Sequence, residues 1–404
     1  MPLGALTALR GDSPLQVIGP AEVRSGIPAK GALPRFILLY AALYAAFGVA
    51  SPFLPAFVAG RGLPPEQLGL ALGAGMAVRL VSAPLAGRIG DLIGSLRVVL
   101  VLCLALAAFA TLGYLWARGF WVFLAVILLH AASLAPVSVL ADALTLGRRF
   151  EYGWVRGTGS AAFIAGTLLS GQAVGASSLD VIVPLQSLLL GATAFAAFFL
   201  PELARVPGAD TARAPMRGFL VLFRIPVFRN LVLVAALILG SHAMHDAFAV
   251  IRWSAAGLSP STASLLWSEA VAAEVLVFFV VGPALVTRLT PAGAIAVSAA
   301  AGMLRWAVMA HTADVTALAL VQPLHGLTFA LLHLSCMRLI ARSVPPGLEG
   351  TGQALYATVG VGTATTLLTF ASGALYARLG AQAFWIMAAL CAIALPLTWK
   401  LRGK

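Results

Sequence analysis

Apolar residues fill the chain in long runs, and short polar intervals separate these runs after residue 33. Each run is long enough for a helix to cross about 30 Å of hydrocarbon, which takes roughly 20 residues. The predicted fold is therefore an all-α membrane protein. The pattern predicts twelve transmembrane helices, at residues 34–59, 67–89, 97–117, 119–141, 154–176, 181–201, 228–250, 261–288, 291–311, 314–341, 350–376 and 380–400.

The polar segments divide the chain into four parts. Residues 1–33 carry Gly and Pro without the apolar core of a secretory signal, which predicts a disordered cytosolic tail. A second polar interval splits the spans six and six, so we predict an N-terminal half at 34–201, a cytoplasmic linker at 202–227 and a C-terminal half at 228–404. Two pseudo-symmetric six-helix halves are typical of transporters that rock around a central site.

The composition excludes a soluble protein, since 61% of the residues are hydrophobic and 10% are charged. The net charge of +12 does not indicate a nucleic-acid partner, because the basic residues mark one membrane face rather than a compact patch. That face holds both termini and is predicted to be cytoplasmic. High Ala and a preference for Arg over Lys suggest a GC-rich bacterial genome. The expected location is therefore the bacterial cytoplasmic membrane. The expected partners are the lipid bilayer, a small-molecule substrate and protons, and we expect a monomer.

No cofactor is predicted. Cys103, Cys336 and Cys391 are odd in number and lie inside predicted helices, which gives no disulfide framework or metal cluster. No nucleotide-binding loop occurs, so ATP is not expected to drive the protein.

The segment SHAMHDAFAV places His242, His245 and Asp246 on one helical face. This spacing would suit a metal in a membrane enzyme, but further ligands are missing and no metal is predicted. The interpretations left open are a substrate-binding role for His242, a proton-coupling role for Asp246, and hydrogen bonding between helices.

Two glutamates interrupt the apolar segment LLWSEAVAAEVLVFFV, and buried carboxylates are expensive. Glu269 and Glu274 point about 140° apart on a helix, so both cannot face one cavity squarely. Arg305 lies at a depth similar to Glu269, which predicts an ion pair between them. The functional interpretation is that one of Glu269 and Glu274 balances Arg305 and the other exchanges a proton, and which of them does so stays open. A purely structural ion pair is the alternative.

Arg79 has no acid in its own span and is the predicted contact for an anionic substrate group, with a structural pair to a partner helix as the alternative. Tyr44 and Trp267 would supply aromatic surface beside Arg79 and Arg305, so a substrate with a ring and a carboxylate is favoured. His130 is interpreted as a packing residue.

The loop GRIGDLIGSLRVVL resembles the loop signature of the major facilitator superfamily. Gly87 is expected to permit close helix approach, and Gly94 to take a positive backbone dihedral. Asp91 is expected to bind neighbouring amides, with Arg97 opening the next helix.

A second charged group lies near the cytoplasmic turn between the fourth and fifth spans. Asp142, Glu151 and Arg156 are expected to form a gating or packing salt bridge there.

Several stretches together resemble the phenylpropionate permease family of the major facilitator superfamily, from about residue 34 to the end. They include LPPEQLGLALGAGMAVRL, YGWVRGTGSAAFIAGTLLSG, RWSAAGLSPSTASLLWSEAVAAEV and VQPLHGLTFALLHLSCMRLIAR. The resemblance implies proton-coupled uptake of an aromatic acid such as 3-phenylpropionate. It also implies a coupling site like that of lactose-type symporters, with counterparts in Glu269 or Glu274, Arg305 and His325. The helix-ten acid of those symporters is missing, because Thr328 stands in its place.

The alternatives within the same class are transport of nucleosides, sugars or hydrophobic compounds, including efflux. A sensor or lipid scramblase on the same fold is a further possibility, and a polytopic membrane enzyme is a remote one, since no nucleophile or metal cluster converges in the sequence.

Overall fold

A computed structural model of the protein describes residues 32–146, 152–202 and 216–402. Helices fill most of these ranges, and none of the described residues is in a β-strand. Nine helical stretches in them are long and apolar enough to cross a membrane. Two of the nine run for 52 and 53 residues, more than twice the length of one crossing. Each of these two turns back at one residue with positive φ, Thr290 (61°) and Gly380 (54°).

With these two stretches divided and the helix Tyr152–Ala176 added, the helices follow the twelve predicted positions. That each of them crosses a membrane stays a prediction. We label them α1 (Leu33–Gly60), α2 (Pro65–Ile93), α3 (Leu96–Trp116), α4 (Gly119–Leu146), α5 (Tyr152–Ala176), α6 (Leu179–Phe198), α7 (Pro226–Ala255), α8 (260–289), α9 (291–311), α10 (Val315–Ser343), α11 (349–379) and α12 (380–401).

Local sequence sets several helix ends. Ser95 caps α3 by accepting a hydrogen bond from the amide of Val98 at 3.1 Å, and Asp314 caps α10 through Ala317 at 2.9 Å. Gly94 ends α2 with φ of 77°, which confirms the positive dihedral expected there. A short helix, Met216–Arg224, lies within the predicted linker, while the predicted tail falls almost entirely outside the described residues.

The helices pack in two groups that meet along a central line. Within the first group α1 packs on α5 and α6, α2 on α4, and α3 on α4 and α6. Within the second, α9 packs on α10 and α12, and α7 on α11 and α12. Contacts between the groups run from α5 to α8, from α2 to α11, and from α1 to α7. Large apolar side chains such as Trp121 and Leu102 are exposed on the outside, as a bilayer requires.

The two groups are in tight contact at the ends predicted to face outward. A Cβ added to Gly69 of α2 would lie 2.6 Å from the Cα of Gly373 on α11. A Cβ on Gly171 of α5 would lie 2.0 Å from the hydroxyl of Ser264 on α8. Glycine is therefore required for this closure, because any side chain would separate the helices.

The opposite ends of α2, α5 and α11 are apart. Among the described residues no atom lies within 4 Å of a Cβ built on Gly87, Gly153 or Gly350. No close helix approach at Gly87 is seen among the described residues in this conformation, so that expectation stays a prediction. For the described residues, these glycine positions indicate an arrangement that is closed at the predicted outer face and open at the predicted cytoplasmic face.

Three π-helical turns interrupt the second group of helices, at Val277–Val281, Gly326–Leu331 and Tyr356–Gly362. Each wider turn shifts the side chains that follow it around the helix axis, and such turns are frequent at functional sites. The first begins three residues after Glu274, and the second begins directly after His325.

Candidate functional site

Two adjoining cavities lie between the helices and share Ser51 of α1 and Phe163 of α5 in their walls. The Glu274 cavity, of about 390 Å³, is lined mainly by α7, α8, α10 and α11. The Arg79 cavity, of about 360 Å³, is lined by the helices of the first group. These volumes are in the range of small-molecule sites.

Glu274 of α8 and His325 of α10 face each other in the wall of the Glu274 cavity. The glutamate Oε2 lies 3.4 Å from the imidazole Nε2, and the two side chains are 25% and 19% exposed. A close approach of the backbones brings them together, since a Cβ on Gly326 would lie 2.6 Å from the carbonyl oxygen of Ala273. Both carboxylate and imidazole can therefore meet a ligand or water in the cavity.

Arg305 of α9 is fully buried behind this wall and lines neither cavity. Its Nε and Nη2 donate to the side-chain oxygen of Gln322 at 3.1 and 2.9 Å. Its Nη1 lies 3.1 Å from His325 Nδ1, and its Nη2 lies 3.4 Å from His245 Nε2. The guanidinium also lies over the Trp306 ring, 4.6 Å from its centre. Arg305 thus holds two histidines and an amide in place.

These contacts determine which nitrogen of each histidine carries hydrogen. A guanidinium has only donors, so His325 Nδ1 must accept and Nε2 donates toward Glu274. In the same way His245 Nε2 accepts from Arg305, and its Nδ1 donates to Asp246 at 3.1 Å. Two hydrogen-bonded relays therefore lead from the buried cation to carboxylates in the cavity wall. One runs from Arg305 through His325 to Glu274, and the second from Arg305 through His245 to Asp246. Asp246 is the more open of the two, with 60% of its side chain exposed.

His242 is held separately. Its Nδ1 lies 3.2 Å from the carbonyl oxygens of Ile238 and Leu239, and its Nε2 lies 2.9 Å from the hydroxyl of Thr328. The same hydroxyl is 3.2 Å from the carbonyl oxygen of His325, so its one hydrogen is shared between the two acceptors. Thr328 thus takes a neutral hydrogen-bonding role where lactose-type symporters have an acid. His242 also lines the Glu274 cavity, as a substrate-binding residue must.

The predicted ion pair between Glu269 and Arg305 is wrong. Gln322 and the two histidines occupy the Arg305 donors, and Glu269 makes no hydrogen bond or ion pair with any described residue. Glu269 lines neither cavity, whereas Glu274 does. Similar depth placed Glu269 and Arg305 at one level of the membrane, but depth does not fix the direction in which each side chain points.

Trp267 lines the Glu274 cavity and stacks on His245, with ring centres 4.9 Å apart.

Tyr44 lies in neither cavity wall. Its hydroxyl accepts a hydrogen bond from Arg156, whose guanidinium also lies over the Tyr44 ring. Tyr40 stacks on Tyr44 and donates to Asp142. The predicted charged group at the α4–α5 turn is thus tied to α1 through two tyrosines, and Glu151 lies outside the described residues.

Arg79 is exposed in the wall of the Arg79 cavity and has no hydrogen-bond acceptor or acid among the described residues.

In the loop after α2, Arg97 pairs with Glu202 at 3.2 Å, and Ser95 donates to the same carboxylate at 2.8 Å. This loop is therefore fastened to the end of α6. Asp91 is exposed at the end of α2.

Sequence reasoning missed Gln322, the main acceptor for Arg305. The only signal was an amide inside an apolar span, in VQPLHG, and attention to charged residues passed over it. Tyr114 and Gln186, both buried and both in the wall of the Arg79 cavity, were missed for the same reason. Within the described ranges no group of three His, Cys, Asp or Glu side chains is arranged to hold a metal.

Comparison with known proteins agrees with this architecture. The sequence profile of the MFS_1 like family matches residues 34–387. The chain belongs to this family. It is 34% identical over 368 residues to the "Probable 3-phenylpropionic acid transporter" of Escherichia coli (strain K12), an alignment that covers 88% of this chain and 94% of the relative.

Solved structures of the superfamily share the fold of this family member. The nucleoside transporter NupG matches with a TM-score of 0.81 and 16% identity over 93% of this chain and 100% of its own. The human organic anion transporter MFSD10 (TETRAN) matches with a TM-score of 0.61 and 19% identity, over 92% and 100%. The MFS_1-like chain is therefore a multi-pass membrane transporter of a small molecule and not an enzyme.

Proposed function

We propose that this transporter couples proton entry to the uptake of a small aromatic carboxylic acid resembling 3-phenylpropionate. The observation that carries the proposal is the pair of adjoining cavities. One contains Arg79, which has no acidic partner among the described residues, and the other contains Glu274 beside His325. A cation suits the carboxylate of the substrate, and a cavity-facing acid suits a transported proton. The printed name of the Escherichia coli relative supports the same substrate class.

Apolar and aromatic surface would receive the ring of such a substrate. Phe163 lies in the wall of both cavities, Phe47 in that of the Arg79 cavity, and Trp267 and Phe329 in that of the Glu274 cavity. A ring placed here leaves its carboxylate side chain free to reach Arg79. Aromatic walls with a few polar groups are the usual composition of such sites.

In this proposal Glu274 takes a proton while the cavity is open to the outside and releases it to the cytoplasm. Arg305 holds His325, and through it Glu274, in place during the exchange. Asp246, on the second relay, offers a further carboxylate to the same cavity. The closed outer face and open cytoplasmic face correspond to the inward-open stage of alternating access. The orientation, with both termini inside a bacterial cytoplasmic membrane, rests on the distribution of Arg and Lys.

The test is accumulation of labelled 3-phenylpropionate in proteoliposomes under an imposed inward proton gradient. The full chain should accumulate the acid with the gradient and only equilibrate it without one. Protein-free liposomes under the same gradient measure passive entry of the neutral acid, which must be subtracted. Equal initial rates of gradient-driven entry into liposomes with and without the protein would overturn the proposal. A panel of nucleosides, sugars and hydrophobic compounds then tests the alternative substrates.

A further inference from the structure

His130 of α4 has a ring nitrogen without a partner in the wall of the Arg79 cavity. The side chain is 6% exposed, and its Nε2 makes no hydrogen bond with any described residue. A polar atom buried in this way costs free energy unless something pairs with it. An imidazole that served only to pack α4 would gain nothing from this nitrogen.

Tyr114 of α3 determines whether His130 Nε2 is a hydrogen-bond donor or acceptor. Its hydroxyl is buried, lies 3.2 Å from His130 Nδ1, and has no other acceptor among the described residues. The rings meet edge to face at 5.5 Å, which fixes the imidazole. Since the hydroxyl hydrogen has only Nδ1 to bind, Nδ1 accepts, and the ring hydrogen of neutral His130 lies on Nε2. His130 therefore presents an N–H donor.

A second unpaired donor lines the same cavity. Arg79 carries five N–H groups and a permanent charge, and none of them meets an acceptor within the described ranges. Two donors without acceptors in one cavity call for a group that only accepts and carries negative charge. A carboxylate has two oxygens with lone pairs for both partners, and it pairs well with the planar guanidinium.

The rest of the cavity wall is mostly apolar. Leu72 and Met76 of α2, Ile127 and Leu134 of α4, and Phe163 surround the two donors, and Phe163 connects this wall with the Glu274 cavity. The space beside the donors therefore suits a hydrocarbon or aromatic body attached to the carboxylate. A sugar, with hydroxyls on every side, would leave most of its polar groups unpaired against this wall.

We infer that Arg79 and the Nε2–H of His130 together form a carboxylate-binding subsite, with Tyr114 positioning His130 for this role. The identity of the acid rests on the proposed function, but the subsite is a binding property that needs no proton gradient. It gives a specific role to a histidine whose sequence context indicates packing alone. Arg79 supplies the positive charge, and His130 supplies a directed hydrogen bond to a carboxylate oxygen. Acids are therefore preferred to neutral analogues of the same shape.

The experiment measures binding of labelled 3-phenylpropionate to the full chain purified in detergent, in competition with unlabelled acid and with 3-phenylpropanamide. The acid should compete well and the amide poorly. Arg79→Gln and His130→Leu should each weaken acid binding about tenfold or more, since each removes a hydrogen bond to a charged group. His130→Gln should retain more affinity than His130→Leu, because its amide can donate from a similar position. Tyr114→Phe should fall between wild type and His130→Leu.

Folding of each variant is checked by its thermal unfolding midpoint and by size exclusion, and Glu269→Gln is the control that contacts neither cavity. The inference is overturned if His130→Leu binds the acid as tightly as the wild type. It is overturned equally if neither 3-phenylpropionate nor benzoate binds the wild-type chain. If acid binding depends on both Arg79 and His130 but the wild type shows no gradient-driven accumulation, the subsite is supported and the proposed proton coupling is wrong. If gradient-driven accumulation survives both substitutions, the proton coupling is supported and the subsite is wrong.

Discussion

Glu274 and His325 stand 3.4 Å apart across the interface of α8 and α10, and the nitrogen of His325 that faces away from the glutamate accepts from Arg305. The imidazole thus donates to the carboxylate whether or not it gains a second proton. This separates the role of His325 from that of Glu274. The histidine connects a fixed buried cation to a carboxylate that lines the cavity, and in our proposal this carboxylate is the group that takes up and releases the proton.

Replacement of Glu274 by glutamine should abolish coupling while leaving the cavity intact. Glutamine can still accept a hydrogen bond from His325, but it cannot exchange a proton. An inward gradient of one pH unit holds about 1.4 kcal/mol per proton, enough for about tenfold accumulation of a singly coupled acid. We expect the protein-dependent part of this gradient-driven uptake to disappear in Glu274→Gln proteoliposomes, while exchange of internal for external acid without a gradient continues.

Glu269→Gln is the matched control, since Glu269 lies on the same helix and contacts neither cavity. Its accumulation should equal that of the wild type. If the Glu269 variant loses accumulation and the Glu274 variant keeps it, our proposal names the wrong glutamate as the proton carrier.

Two substitutions of His325 distinguish a positioning role from a proton-carrying one. Glutamine can accept from Arg305 through its oxygen and donate to Glu274 through its amide, whereas leucine can do neither. We expect His325→Gln to keep a measurable part of the accumulation. His325→Leu should lower the initial rate about tenfold or more, because it leaves a buried cation with one partner fewer.

The measurement is the initial rate of gradient-driven uptake, with substrate binding in detergent as the reference for folding. If both variants are equally inactive while both still bind substrate, the imidazole itself must carry the proton. The positioning role would then be wrong.

The predicted helix positions agree closely with the structure, because continuous apolar stretches of fixed length are a strong signal in a membrane protein. The ninth span, predicted at 291–311, begins directly after Thr290 and ends at His311. The turn residue Gly94 was also predicted, since a helix that ends in a tight loop requires positive φ. The first 31 residues lie outside the described ranges, so the predicted disordered tail stays a prediction.

The candidate site was predicted less completely. Helix periodicity separated Glu269 from Glu274 correctly, but it could not reveal which partner Arg305 takes. That partner, Gln322, is uncharged and comes from another helix, so neither its charge nor the period of α9 could identify it. The partners of His130 required packing information as well, because Tyr114 comes from another helix.

A methyl group on Gly326 should disrupt the Glu274–His325 contact from the backbone. Its Cβ would lie 2.6 Å from the carbonyl oxygen of Ala273, so α10 would have to move away from α8. Such overpacking costs about 1–3 kcal/mol. We expect Gly326→Ala to reduce gradient-driven uptake more than it reduces binding of the acid, since Arg79 and His130 lie on other helices. Gly191→Ala, with no atom within 4 Å, is the control and should behave as wild type. Equal gradient-driven uptake by Gly326→Ala and Gly191→Ala would show that uptake does not need the close approach of α8 and α10.

The outer closure offers a test of alternating access itself. Gly69 and Gly373 allow α2 and α11 to touch at the predicted outer face, and a Cβ on Gly69 would lie 2.6 Å from Gly373. Alanine at this position penalises the closed outer face and leaves a conformation with separated outer ends unaffected. A penalty of about 1–3 kcal/mol shifts the balance between the two conformations about tenfold or more toward the outward-open one.

The readout is labelling of a single cysteine at Thr365→Cys, in the wall of the Glu274 cavity, after Cys103, Cys336 and Cys391 are replaced by alanine. A membrane-impermeant thiol reagent added outside intact cells should react faster when Gly69→Ala is present, because the cavity is then open to the outside more often. Adding Gly191→Ala instead should leave the rate unchanged. An unchanged or slower rate with Gly69→Ala would mean that the glycine contact does not control access to the cavity from this side, and the predicted orientation or the rocking motion would have to be revised.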